Sequence, residues 1–199
     1  MIAGIDEAGR GALVGPLVIA IFLIENEEAV EGLKDSKQLS PRQRSHIYQK
    51  LKQVGKFEVV KIAPSEIDER NLNTIEVEAM KSLIEKHKPT TAYVDSFLKD
   101  PKPLEIEGIN VIAEHKADER YGVVAAASII AKVVRDAEVK KLHKKFGFFG
   151  SGYPSDPITV KFVKEHLKEL ENAGVVRRKW KTYKEMKKPK QSSIDNFLG

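Results

Sequence analysis

Eight consecutive apolar residues, Leu17 to Ile24, constrain this chain more than any other feature in it. The run is rich in branched side chains and far too short to cross a bilayer, so Pro16 to Ile24 predicts a buried strand. Other segments fall into order around it. Ile2 to Asp6 predicts a first strand, followed by a turn at Gly9-Arg10-Gly11. Ser40-Pro41-Arg42-Gln43 has the form of a helix start, with Ser40 as cap, Pro41 as first helical residue and Gln43 completing a capping box. Ile47, Leu51 and Val54 then recur on one face. Phe57 to Ile62 predicts a third strand. A helix capped by Asn73 carries Met80, Leu83 and Ile84 and ends before Pro89. Thr91 to Val94, ending at Asp95, and Ile109 to Ala113 predict two more strands.

Tyr121 to about Lys145 predicts a long helix, apolar at first and basic at its end, whose Ala125-Ala126-Ala127 run lets it lie close to a sheet. Asp156-Pro157 opens another helix, to about Asn172. Strands first, then alternation with helices, argue for an α/β fold with a mixed sheet. The expected organisation is a core over residues 1–154, a small helical lobe over 155–183 and a flexible tail over 184–199.

The composition narrows the class. Apolar residues make up 41% of 199, which excludes a mostly disordered chain. Cysteine is absent, so disulfides and thiolate metal sites are excluded. The opening residues carry no basic n-region, and a cytosolic (cytoplasmic) protein is the expectation. The net charge is +5, but residues 177–190 hold eight Lys or Arg against Glu185 alone, so the remainder is slightly acidic. With Trp180 and Tyr183 interleaved, that segment reads as a phosphate-backbone contact with stacking options, or as a solvated helix edge.

Carboxylates stand where a core would not place them. Asp6-Glu7 ends the first strand, Asp95 ends the strand Thr91 to Val94, and Asp118 precedes the long helix. Strand ends and helix starts are where α/β proteins build sites. Acids converging there would repel one another unless a cation neutralised them, and hard oxygen ligands favour Mg²⁺ or Mn²⁺ over zinc. Taken singly, each also reads as a turn acid or helix cap, and spacing alone does not show convergence.

At this point the sequence resembles a known family. Asp6-Glu7-Ala8-Gly9-Arg10-Gly11 with Gly15-Pro16 resembles the opening signature of ribonuclease HII (type 2 ribonuclease H). The later pieces follow in the family's order: Asp35-Ser36-Lys37, Tyr93-Val94-Asp95-Ser96, His115-Lys116-Ala117-Asp118, Ala125 to Lys132, and Gly150 to Asp156. The likeness runs over about residues 1–183 and is strongest to archaeal members. Ribonuclease HIII lacks this Gly-Arg-Gly and normally carries an extra N-terminal domain.

The resemblance implies an RNase H-like fold, a central mixed sheet flanked by helices with a small helical C-terminal lobe. It implies that Asp6, Glu7, Asp95 and Asp118 bind divalent metal and catalyse hydrolysis of RNA in RNA–DNA hybrids and of ribonucleotides embedded in duplex DNA. Cleavage on the 5′ side of a ribonucleotide, leaving 3′-hydroxyl and 5′-phosphate, belongs to the same implication. So does the assignment of Gly9, Arg10 and Gly11 to the 2′-hydroxyl, and of Tyr153 to the sugar of the next nucleotide. Lys37 is a candidate phosphate contact. Ser128 and Lys132, one helical turn apart, share a face near the site. His115 reads either as a product-release or water-positioning group or as a structural imidazole.

Gln191, Ile194, Phe197 and Leu198 resemble the clamp-binding peptide of replication proteins: a glutamine, an aliphatic residue and two bulky apolar residues that one helical turn gathers on one side. Leu198 departs from the commonest double-aromatic ending. The implied partner is the PCNA sliding clamp, and nothing in the sequence demands more than a monomer. A non-enzymatic nucleic-acid adaptor and a different nuclease of the same fold stand as the competing readings.

Overall fold

A computed structural model describes residues 1–33, 39–98 and 100–188. Five strands form one mixed sheet: β1 (Ile2–Ala8), β2 (Leu17–Ile24), β3 (Lys56–Ile62), β4 (Thr91–Asp95) and β5 (Asn110–Glu114), in the order β3-β2-β1-β4-β5. β1, β2 and β3 pair antiparallel, whereas β4 and β5 run parallel to β1. Every residue of β2 is buried. The eight-residue apolar run lies beside the centre of the sheet and is covered on both faces, as its lack of alternation requires.

The helices are α1 (Pro41–Val54), α2 (Pro64–Glu69), α3 (Leu72–His87), α4 (Gly122–Phe146), α5 (Pro157–Glu165), α6 (Leu167–Asn172) and α7 (Lys181–Met186). The α1 capping box is present in both directions, Ser40 N–H to Gln43 Oε1 at 2.8 Å and Gln43 N–H to Ser40 Oγ at 3.3 Å. The α3 cap is Asn71, which accepts from Thr74 N–H; Asn73, expected in that role, lies within the first turn and bonds elsewhere. The helix expected to run from Pro157 to about Asn172 breaks at His166, whose ψ of 22° lies outside the helical range. The short α2 carries no side-chain cap that would announce it. Among the described residues, no helix is long and apolar enough to cross a membrane.

Strand alternation sorts the side chains. Ala3 and Ile5 of β1, with Ala92 and Val94 of β4, face α3 and pack with Met80, Leu83 and Ile84. The intervening residues face α4, whose Val123, Val124, Ala126 and Ala127 lie against that side of the sheet. The contact is intimate because β1 presents Gly4 there: a Cβ on Gly4 would stand 2.1 Å from the Val123 carbonyl oxygen. The alanine run of α4 and Gly4 of β1 are the two halves of one close approach. A third cluster joins Leu13, Val14 and Val139 to Phe149, Val163, Leu170, Val176 and Tyr183, so α5, α6 and α7 share a core with the loop that follows β1.

Candidate active site

The parallel pairing of β1 and β4 puts Ile5 beside Val94, so Asp6 and Asp95 leave the sheet at the same end. Both point to the α4 face, Asp6 in phase with Gly4 and Asp95 in phase with Tyr93. Asp118 arrives from a 3₁₀ turn, Ala117–Glu119, entered through Lys116 in the left-handed conformation (φ +59°). Asp95 Oδ1 ties this turn to β4 by accepting from Ala117 N–H at 3.2 Å. Asp118 does not cap α4, which starts after Tyr121. Asp6, Asp95 and Asp118 each bring one carboxylate oxygen within 4.8 Å of the others. Oxygens so spaced can share a divalent cation at its usual bond lengths of about 2.0–2.6 Å.

Glu7 is not in that group of three. It follows Asp6 in a strand, so it points to the opposite face, toward α3. Its Oε2 is buried and has no hydrogen-bond partner among the described residues. Burial, followed by the charges of Asp6, Glu76 and Asp95, holds its carboxyl well above the usual range. Asp6 is pushed up to about 7, chiefly by burial, against the opposing pull of a hydrogen bond from Ser128. Ser128 in turn accepts from Lys132 Nζ at 2.7 Å, so the two residues one turn apart on α4 form a relay to Asp6. Burial raises both carboxyls, and a divalent cation set among them would offset that cost and favour their charged forms. An all-oxygen donor set of this kind fits Mg²⁺ or Mn²⁺.

The Gly9-Arg10-Gly11 turn borders this cluster and is held from behind. Arg177 is fully buried, and its guanidinium donates to Gly9 O at 2.6 Å, Arg10 O at 2.6 Å and Gly15 O at 3.1 Å. Trp180 Nε1 donates to Gly11 O at 3.3 Å. With all three turn carbonyls engaged, the amides of Arg10 and Gly11, which donate to nothing among the described residues, are the polar groups left for a ligand. Gly9 has φ +89°, and a Cβ there would stand 2.7 Å from Arg135 Nε, so only glycine fits.

Arg135, also buried, donates to Ser151 O and lies 4.4 Å from the Tyr153 ring centroid. The Gly150-to-Tyr153 loop is pinned further by Gly152 O accepting from Leu13 and Val14 N–H, by Thr159, and by Asp156 accepting from Ser151 N–H. Tyr153 is thus half-buried in a rigid loop beside the glycine turn.

The structure revises the reading of the basic segment. Arg177 lies inside the protein rather than on a phosphate-binding surface, and Arg178 and Lys179 are tied to the buried Asp68 and to α2. Trp180 packs against Arg177 and the glycine turn. His115 is exposed. Sequence reasoning missed Glu76, Arg135 and Arg177, three charged residues with almost no exposure. Lys37, Gln191, Ile194, Phe197 and Leu198 lie outside the described residues.

A mixed five-stranded sheet flanked by helices, with carboxylates gathered where parallel strands end, defines an RNase H-like nuclease. The comparisons narrow the class. The family description Ribonuclease HII matches residues 3–183. Ribonuclease HII of Archaeoglobus fulgidus is 43% identical, over 99% of this chain and 100% of its own. The A. fulgidus enzyme solved in its PCNA:RNase HII complex superposes with a TM-score of 0.87 at 42% identity, covering 99% of this chain and 100% of that one. The ribonuclease H2 of Pyrococcus horikoshii OT3 gives 0.83 at 45% identity, over 93% and 96%. The chain belongs to the ribonuclease HII family. It is a hydrolytic endonuclease of the kind that cleaves RNA in RNA–DNA hybrids.

Proposed function

We propose that this enzyme cuts RNA–DNA hybrids, and single ribonucleotides embedded in duplex DNA, on the 5′ side of the ribonucleotide, leaving 3′-hydroxyl and 5′-phosphate ends. Ribonucleotide excision and RNA primer removal are the processes such a cut serves. The observation that carries the reading is the meeting of Asp6, Asp95 and Asp118 oxygens within 4.8 Å, beside a glycine turn whose carbonyls are all held away from the site.

Asp6, Glu7, Asp95 and Asp118 are the groups that would hold Mg²⁺ or Mn²⁺. Two such ions, when bound, supply an activated water and neutralise the leaving oxygen of the phosphodiester. The rest is the work of the chain. Ser128, steadied by Lys132, orients the Asp6 carboxylate. The amides of Arg10 and Gly11 offer donors to the ribose 2′-hydroxyl, the group that separates RNA from DNA. Gly9 and Gly11 let that sugar come close, and Tyr153 offers its ring to the sugar of the following nucleotide. Lys37 serves as a phosphate contact. Residues 1–154 carry the chemistry and 155–183 most of the helical lobe, whose last helix, α7, runs on to Met186 before the remaining tail, in a monomer working in the cytoplasm.

A duplex with one ribonucleotide, incubated with Mg²⁺ or Mn²⁺ and end-mapped, tests this. One cut 5′ of the ribonucleotide is expected, and an all-DNA duplex should survive. No scission, or equal cutting of all-DNA duplex, would point instead to an adaptor or to a different nuclease.

We also propose that Gln191, Ile194, Phe197 and Leu198 dock on the PCNA sliding clamp, supported by their spacing and by the PCNA complex of the A. fulgidus relative. Deleting residues 191–199 should remove clamp binding in a pull-down and spare hydrolysis of short duplexes; retained binding would refute the assignment.

A further inference from the structure

Glu76 is a buried carboxylate near the site that the chemistry above does not use. It lies in the first half of α3, on the face that packs against the sheet, with no exposed surface. Burying a carboxylate among apolar side chains is costly, and an apolar residue of that size would pack there with less penalty. Its Oε2 accepts from Arg10 Nε at 3.0 Å, while Oε1 is buried with no hydrogen-bond partner among the described residues. One turn earlier, Asn73 Oδ1 accepts from Arg10 Nη2 at 2.6 Å. The guanidinium carbon of Arg10 lies 4.3 Å from the ring centroid of Phe97, two residues beyond Asp95. Asn73, Glu76 and Phe97 therefore occupy the Arg10 side chain on its own side, while Arg177 holds the Arg10 carbonyl from behind.

We propose that Glu76 is a positioning residue for ribose recognition: with Asn73 and Phe97 it latches the Arg10 side chain, and the latch fixes the amides of Arg10 and Gly11 where they meet the 2′-hydroxyl. In this arrangement Arg10 contributes its backbone to the substrate and its side chain to the latch. The latch also joins the turn after β1 to the end of β4, so the ribose-reading turn and the strand carrying Asp95 are held in one frame. Glu76 touches no reacting atom; it acts through Arg10.

The inference rests on the ribonuclease reading above, and the test separates the two. Binding is measured in an Asp6→Asn background, so that substrate survives, for a duplex with one ribonucleotide and for its all-deoxy counterpart. The parent should prefer the ribonucleotide duplex. Glu76→Ala and Arg10→Ala should each lower that preference about tenfold, and the double variant no further, because both remove the same latch. The isosteric Glu76→Gln keeps an acceptor for Arg10 Nε–H and should recover part of the preference. A residue that only supports the fold would lower Tm and weaken both duplexes alike. An unchanged preference in Glu76→Ala and Glu76→Gln, or additive losses in the double variant, overturns the inference alone. A parent without preference overturns it together with the ribose-reading role of the glycine turn.

Discussion

Replacing Asp6 by Asn is expected to cut hydrolysis by about a thousandfold or more, while the metal-free protein becomes no less stable above neutral pH. The first half follows from position. Asp6 is the carboxylate on which Asp95, Asp118, Ser128 and the Lys132 relay converge. Removing its charge removes a cation ligand, and metal assistance is worth several kcal/mol of barrier. The second half follows from burial. Asp6 is 5% exposed, and its carboxyl titrates at about 7 rather than near 3.8. A pKa raised on folding means that the folded state binds the proton more tightly. The stabilising contribution is complete below pH 4 and is lost as the pH rises through about 7. Above that, the metal-free protein carries the cost of a buried charge. Asparagine carries no such proton, so the fall in metal-free stability between pH 4 and 7 should flatten in the variant. Thermal denaturation with chelator across that range, beside single-turnover cleavage, checks both halves. Parental cleavage by the variant, or a parent whose metal-free stability does not fall over that interval, would count against the assignment. Added Mn²⁺ at pH 8 should raise the Tm of the parent more than that of the variant, since ligand binding to the folded state alone stabilises it.

Arg177→Ala should destabilise the protein by about 4 kcal/mol, roughly 10 °C in Tm for a chain of this size. The guanidinium is fully buried and bonds three carbonyls, two of them in the turn proposed to read ribose. Truncation leaves those acceptors without donors in a dry interior. Burial, with the neighbouring Arg135, lowers its pKa to about 10, so it remains a cation at neutral pH and its hydrogen bonds are charge-assisted. Lysine restores the charge but not the planar fork, and Arg177→Lys should recover less than half of the loss. A surface phosphate contact would behave in the opposite way, with Tm unchanged and the salt dependence of duplex binding reduced by about one counterion. Calorimetry and a salt titration on the same variant decide between them; an unaltered Tm would mean that Arg177 is not the buried clamp described here. Activity should fall through KM, because the turn that meets the substrate loses its backing.

Much of the architecture was legible because it depends on neighbours in sequence. The capping box at Ser40 and Gln43 spans four residues and formed as read. The unbroken apolar run became the strand covered on both faces. Asp6, Asp95 and Asp118 could be singled out because acids at strand ends and just ahead of an apolar helix have no core role. The misreadings were of residue types that have several local uses. An asparagine can cap a helix at position 71 or 73 with equal chemistry, and the choice fell to Asn71 because Asn73 is taken by Arg10, 63 residues away. The basic segment read as surface because charge runs usually are, yet its first member is interior.

The sequence by itself determined the order of the five strands and of α1, α3 and α4, the ribonuclease HII resemblance and the candidate acids, since periodicity, capping and motif spacing are local properties of the chain. Only the tertiary structure decided that adjacent Asp6 and Glu7 part to opposite faces of the sheet, that Arg10 is held by a glutamate 66 residues away, and that Arg177 closes a turn 167 residues before it. The physical reason is desolvation. What a charged side chain does depends on how much water it keeps and which partners replace the rest, and both are set by segments brought together only when the sheet and its covering helices close.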